Sequence, residues 1–164
     1  MTTAHIGIGS NLGHKRARCR EAIEHIERLP GCTVKKRSSF YRTDPVGVEG
    51  QDWYVNAVIG IETDLSPHAL LEVLLAIESH MGRKREKKWE ARIIDLDLIL
   101  YGNEILEEGH LTVPHPLMHV RRFVLIPMAE IAPERVHPVL GKTMKQLLKD
   151  LPEEGQAVRP LEGA

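Results

Sequence analysis

Asp95 and Asp97 stand two residues apart in Arg92-Ile93-Ile94-Asp95-Leu96-Asp97-Leu98-Ile99-Leu100, and that spacing on an apolar stretch is the first chemical signal in the chain. From Ile94 onward the residues alternate, as in a strand whose successive side chains point to opposite faces. Ile94, Leu96, Leu98 and Leu100 then share one face, while Asp95, Asp97 and Ile99 share the other. Two carboxylates roughly 6.5–7 Å apart at the backbone offer oxygen-only ligands on one surface. Such ligands suit Mg²⁺, which keeps waters and is held by one or two carboxylates plus substrate phosphates. The pair is also close enough to clamp two metal ions ~3.5–4 Å apart. Just upstream, Gly82 to Arg92 carries six basic residues in eleven. Cations there can hold the polyphosphate oxygens that a metal does not reach. Alone, Asp-x-Asp is more often the solvated face of an edge strand. The basic run beside it reverses that reading.

Other spacings exclude chemistries. His115 and His119 lie four apart, but Pro116 sits between them and no Glu follows the first His, so the zinc-protease motif fails. His115 has its backbone fixed between Pro114 and Pro116 and is a candidate for touching a phosphate or a base. Gly7 and Gly9 open a G-x-G, yet Leu12 occupies the third glycine position, and no G-x-x-x-x-G-K-[ST] can be drawn. A tight turn packing a helix on a strand is expected there instead. Cys19 and Cys32 form neither a CxxC pair nor a zinc spacing and read as reduced cytosolic thiols. No basic segment with a long apolar run opens the chain, and no apolar run approaches ~18–20 residues. No signal peptide and no membrane span are therefore expected, and a cytoplasmic location is. With a net charge of −1, no global field recruits nucleic acid.

Elements that would position these residues follow from periodicity. The 164 residues, 42% hydrophobic and 27% charged, suit one globular domain, with a core over about 4–151 and a weakly committed tail. Ala4–Gly9 reads as a first strand. Lys15–Leu29 reads as a helix burying Ala22, Ile23, Ile26 and Leu29, stopped by Pro30-Gly31. Thr33–Thr43 makes a second strand, Asp44–Asp52 a long loop, and Tyr54–Thr63 a third strand. Ser66-Pro67 caps a second helix that buries Leu70, Leu71, Leu74, Ile77 and Met81. The acidic strand and a turn at Tyr101–Glu104 come next. Leu111–Pro116 must be extended, Val124–Ile131 is an apolar run, and Thr143–Leu151 a short helix. The order βαββαβ places the chain in the α+β class, as a ferredoxin-like core with an antiparallel sheet flanked by helices and a C-terminal extension.

Several blocks together resemble the 6-hydroxymethyl-7,8-dihydropterin pyrophosphokinase family of folate biosynthesis. They are Ile8–Gly13, Ser39–Thr43, Tyr54–Ala57, Gly82-Arg83, Trp89, Arg92–Leu98 and Val113–Met118, in the family's order from about residue 4 to 133. The resemblance implies transfer of diphosphate from ATP to 6-hydroxymethyl-7,8-dihydropterin, with release of AMP. It implies that Asp95 and Asp97 hold two Mg²⁺. Arg83 and Arg92 would act on the phosphates as catalytic residues, supported by Arg85, Lys87 and Lys88 from a closing loop that Trp89 caps. Glu78, Leu98, Thr112, His115 and Arg121 would complete the ATP site. Tyr54 and Phe123 would sandwich the pterin ring, with Thr43, Asp44, Pro45, Val46, Asn56 and Trp89 around it. Glu90-Ala91 departs from the Gly-Pro or Gly-Ala of many relatives, and Leu75 replaces a polar residue of some members. A monomer needing neither nucleic acid nor membrane is expected.

Two rival readings are weaker. A metal-dependent nucleotidyltransferase on a ferredoxin-like core would need another strand-borne carboxylate and a nucleic-acid channel. An RNA-binding module would need base-stacking aromatics on its central strands, and aromatics make up 4% of this chain.

Overall fold

The sheet is built outward from β1 (Thr2–Ser10), which pairs on one side with β4 (Tyr54–Thr63) and on the other with β5 (Asp95–Tyr101). The computed structural model describes residues 1–44, 52–82, 93–152 and 157–161. Strands β2 (Cys32–Arg37) and β3 (Tyr41–Thr43) pair with successive stretches of β4, and β8 (Val158–Pro160) adds to β3. The order β5-β1-β4-β3-β8 is antiparallel at every step, so the chain is an α+β protein with an antiparallel main sheet. A separate hairpin joins β6 (Leu106–Glu108) and β7 (Leu111–Val113) around Gly109, whose φ of +58° suits glycine.

One face of the sheet lies under α1 (Lys15–Glu27) and α2 (Pro67–His80). Ala4, Ile6, Ile8, Val55, Ile59, Ile61, Leu96 and Leu98 meet Cys19, Ala22, Ile23, Ile26, Leu70, Leu74 and Ile77 there. Helix α2 starts where its cap predicts: the Ser66 hydroxyl accepts the Ala69 N–H at 3.2 Å, with Pro67 in the first turn. Part of the opposite face is sealed by α3 (Arg122–Ile131) and α4 (Met144–Asp150), which close Val58, Ile99 and Leu100 in a second core. A capping box of Thr143 and Gln146 starts α4. Among the described residues, no helix is long and apolar enough to cross a membrane.

Three sequence expectations change. The second strand is two, because the chain steps out at Ser38–Phe40, where the Ser38 hydroxyl accepts the Val58 N–H at 2.9 Å. Glu130 on α3 then accepts from the Ser39 N–H and the Tyr41 hydroxyl, the latter at 2.7 Å, which fixes the step against the helix. The strict alternation of the acidic strand also fails beyond Ile99. The ladder to β1 shifts register between His5 and Ile6, so Leu100 joins Ile99 in the second core while Tyr101 turns to the first. The tail, expected to be uncommitted, supplies β8 against β3.

Candidate active site

Cross-strand partners share a face of the sheet, and the registers place the chemical residues in rows. Gly9 lies opposite Asp95 on one side and Asn56 on the other, and Tyr41 continues that row beyond Asn56. Gly7 lies opposite Asp97 and Val58, while Thr43 lies opposite Tyr54. Asp95, Asp97, Gly7, Gly9, Tyr54, Asn56 and Thr43 therefore occupy the face turned away from α1 and α2, next to the part that α3 and α4 seal.

Gly7 and Gly9 make the floor. A methyl group built on Gly9 would sit 2.8 Å from Asn56 Nδ2 and 3.8 Å from Tyr54 Cδ1. The Asn56 amide thus crosses the backbone of β1 where any side chain would displace it. A methyl on Gly7 would meet Ile99 Cδ1 at 3.1 Å and approach the Cβ of Asp97 at 3.9 Å. Beside this floor two buried oxygens, Asn56 Oδ1 and Thr43 Oγ1, have no hydrogen-bond partner among the described residues. An unsatisfied buried polar atom costs about 1–3 kcal/mol, so a face carrying two of them is shaped for a ligand with donors of its own.

Past the acidic strand, His115 is held at both ends. Its N–H donates to the Ile99 carbonyl at 2.9 Å, and its Nδ1 accepts the Leu117 N–H at 3.2 Å. With Nδ1 accepting, the ring proton of the neutral form is assigned to Nε2. Burial and the Arg121 guanidinium lower the His115 pKa, with the Asp95 carboxylate opposing them. His115 therefore stands in the fields of both groups as a neutral donor. The Arg121 guanidinium lies 5.5 Å from the ring centre of Phe123, in the first turn of α3. Where the chain leaves β3 and re-enters at β4, Trp53 is held between Lys15 Nζ at 4.2 Å and the Arg42 guanidinium at 4.6 Å. Asp52 holds Lys15 at 2.9 Å, and Asp44 holds Arg42 at 3.1 Å.

Two residues expected at the ATP have buried side chains in this arrangement. The Leu98 side chain is 5% exposed and packs in the helix-covered core, behind Asp97 rather than beside it. Glu78 is 1% exposed on α2, and its Oε2 accepts the Leu96 N–H at 2.7 Å. It faces the edge of the acidic strand. The Asp44 carboxylate, expected at the pterin, is engaged by Arg42 and lies 3.9 Å from Arg159. Thr112 sits half-buried in β7, opposite Glu107. Arg83, Arg85, Lys88, Trp89, Arg92, Pro45 and Val46 lie outside the described residues.

Among the described residues no group of three or more His, Cys, Asp or Glu could hold a metal ion. Asp95 and Asp97 stand on one face of β5, and two carboxylates are the kind of donor set that suits Mg²⁺ with a bound polyphosphate. Sequence reasoning missed the glycine floor. The signal was there as Gly-x-Gly with the same two-residue period as Asp-x-Asp, legible once both are placed on paired strands.

The family model described as 7,8-dihydro-6-hydroxymethylpterin-pyrophosphokinase matches residues 5–133. A 2-amino-4-hydroxy-6-hydroxymethyldihydropteridine pyrophosphokinase of Methylorubrum extorquens is 44% identical over 155 residues, covering 94% of this chain and 97% of that protein. The protein of the same description from Haemophilus influenzae is 46% identical over 149 residues, covering 89% of this chain and 93% of its own. Among solved structures, a Plasmodium falciparum HPPK-DHPS with pteroate superposes with a TM-score of 0.75 at 15% identity, over 90% of this chain. This chain spans 42% of that longer protein, and the likeness to it is one of fold.

Proposed function

Because the chain belongs to the 7,8-dihydro-6-hydroxymethylpterin-pyrophosphokinase family, with the folate-pathway activity of its relatives, we propose that the open part of the sheet face carries both substrates side by side. The observation behind this reading is the row Asp95–Gly9–Asn56, which sets a carboxylate beside an amide whose Oδ1 has no partner among the described residues. At one end, Asp95 and Asp97 hold Mg²⁺ bound to ATP, in a two-ion arrangement. At the other, Asn56 Oδ1 and Thr43 Oγ1 meet the polar edge of 6-hydroxymethyl-7,8-dihydropterin, and Tyr54 and Phe123 stack on its ring. His115 donates from Nε2 to a phosphate oxygen. Arg121 and Thr112 lie along the nucleotide, and the charges of Arg83, Arg85, Lys88 and Arg92, with Trp89, complete the phosphate end.

The pterin hydroxymethyl oxygen forms a bond to the β-phosphorus of ATP. The bond from that phosphorus to the oxygen shared with the α-phosphate breaks, AMP leaves, and the hydroxyl proton passes to solvent. When bound, Mg²⁺ neutralises the phosphate oxygens and polarises the phosphorus under attack. The protein's contribution is position and charge, in keeping with phosphoryl-type transfer. The strand order of the main sheet supports the ferredoxin-like description of the core. Cys19 and Cys32 are both buried and free, and burial pushes the Cys19 thiol up to about 12, in keeping with thiols kept reduced in a cytoplasm.

AMP release from ATP in the presence of the pterin alcohol tests this reading. Asp97→Ala should lower turnover about a thousandfold or more, the equivalent of several kcal/mol of charge stabilisation. Near-normal turnover in that variant would move the phosphate end elsewhere.

A further inference from the structure

Two fully buried polar side chains outside the substrate-facing surface converge on the backbone around Asp95. Ser10, the last residue of β1, is 0% exposed, and its hydroxyl donates to the Ile93 carbonyl at 2.6 Å, across 83 positions of sequence. Glu78 is 1% exposed, and its carboxylate accepts the Leu96 N–H at 2.7 Å. The β1–β5 ladder has its last register at Gly9–Asp95, so Ile93 lies beyond it. Ser10 holds the chain two residues before Asp95, and Glu78 holds it one residue after. As β5 is an edge strand paired, among the described residues, only with β1 in its sheet, its outward N–H groups need partners from elsewhere. Burying a carboxylate is a costly way to cover an edge. A short hydrogen bond to a buried acceptor, however, fixes the direction of the strand at that point, which is what a catalytic carboxylate's backbone requires.

We propose that Ser10 and Glu78 are positioning residues that brace the acidic strand on either side of Asp95, so that its carboxylate stays aimed at the metal-bound phosphates. This rests on reading Asp95 and Asp97 as the phosphate end of the site. The brace touches no substrate. Ser10 acts through Ile93 and Glu78 through Leu96.

Ser10→Ala, Glu78→Ala and Glu78→Gln separate this role from mere stability. Three readouts apply: amide exchange at Leu96, calorimetric affinity for a Mg²⁺-bound non-hydrolysable ATP analogue, and the split of kcat from the pterin KM. A misplacement on the order of 1 Å costs about a hundredfold in rate. Ser10→Ala and Glu78→Ala should therefore lower kcat by about that factor and weaken the Mg-nucleotide, with little change in pterin KM. Glu78→Ala should also speed exchange at Leu96. Glu78→Gln keeps an acceptor for the Leu96 N–H and should restore exchange, affinity and rate. If Glu78→Ala does not fold, Ser10→Ala and Glu78→Gln carry the test. Folded variants binding Mg-nucleotide and turning over as wild type would overturn the brace, as would Glu78→Gln failing as Glu78→Ala does. Asp97→Ala is the control: an unaffected Asp97→Ala refutes the underlying reading, whereas a dead Asp97→Ala with intact Ser10 and Glu78 variants refutes the brace alone.

Discussion

Two stretches of one sheet face, built from the same three strands, have opposite fates. Toward the start of β1 the face carries Val58, Ile99 and Leu100, which α3 and α4 cover completely. Toward its end the same strands carry Gly7, Gly9, Asn56, Asp95 and Asp97, with two buried oxygens nearby that have no hydrogen-bond partner among the described residues. Both stretches are antiparallel pairings of β1 with β4 and β5. Side-chain bulk and polarity differ, and the change falls at Ile99–Leu100, where a register shift turns two consecutive residues into the second core. Strand β5 is thus core at one end and candidate site at the other, with a bulge ending the alternation between Ile99 and Leu100.

That contrast can be broken from the sealed end. Leu125, fully buried in the second core, should cost roughly 2–5 kcal/mol of stability when cut to alanine. The folded remainder should keep its kcat, unlike the Asp97→Ala enzyme. Denaturant melts paired with turnover per folded molecule check this, and a large kcat loss at constant fold would mean that the two ends are not separable.

A smaller effect comes from His5, 4% exposed on β1, beside Gly60. Burial, then the charges of Arg135 and Lys36, hold its pKa down at about 4. Its folded pKa lies below the ordinary ~6.5, so the unfolded chain binds the proton more readily. The stability His5 contributes is complete above pH ~6.5 and is lost as pH falls toward the folded value. Between about pH 7.5 and 4.5 the loss should be about 2–3 kcal/mol. His5→Asn, which cannot titrate, should lose that much less over the same interval by chemical denaturation. Equal acid sensitivity in the two proteins would contradict the assignment.

Much of this was legible in the sequence, for physical reasons. The bounds of β4 and the start of α2 follow from a long apolar run and from Ser66-Pro67, both local signals. Asp95 and Asp97 share a face as their spacing requires. What was not legible depends on distant partners. The break after Arg37 is held by Glu130, 91 positions beyond Ser39. β8 is three residues joined through backbone pairing, which leaves no hydrophobic pattern. Glu78 reads as a polar residue near a nucleotide until its acceptor role at Leu96 is seen.

On the proposed reading, the glycine floor sets the Asn56 amide beside the phosphate end, and the pterin binds there. Calorimetric titration of 6-hydroxymethyl-7,8-dihydropterin, with and without a Mg²⁺-bound non-hydrolysable ATP analogue, into wild type and Gly9→Ala tests it most directly. The new methyl would press on Asn56 Nδ2 from 2.8 Å, displacing the amide without removing it. Pterin binding by wild type should strengthen when the Mg-nucleotide is present. In Gly9→Ala it should weaken about tenfold, the loss of roughly one good hydrogen bond, with the thermal melt little changed. Equal pterin affinity in the two proteins, or no pterin binding by wild type under either condition, would contradict the account.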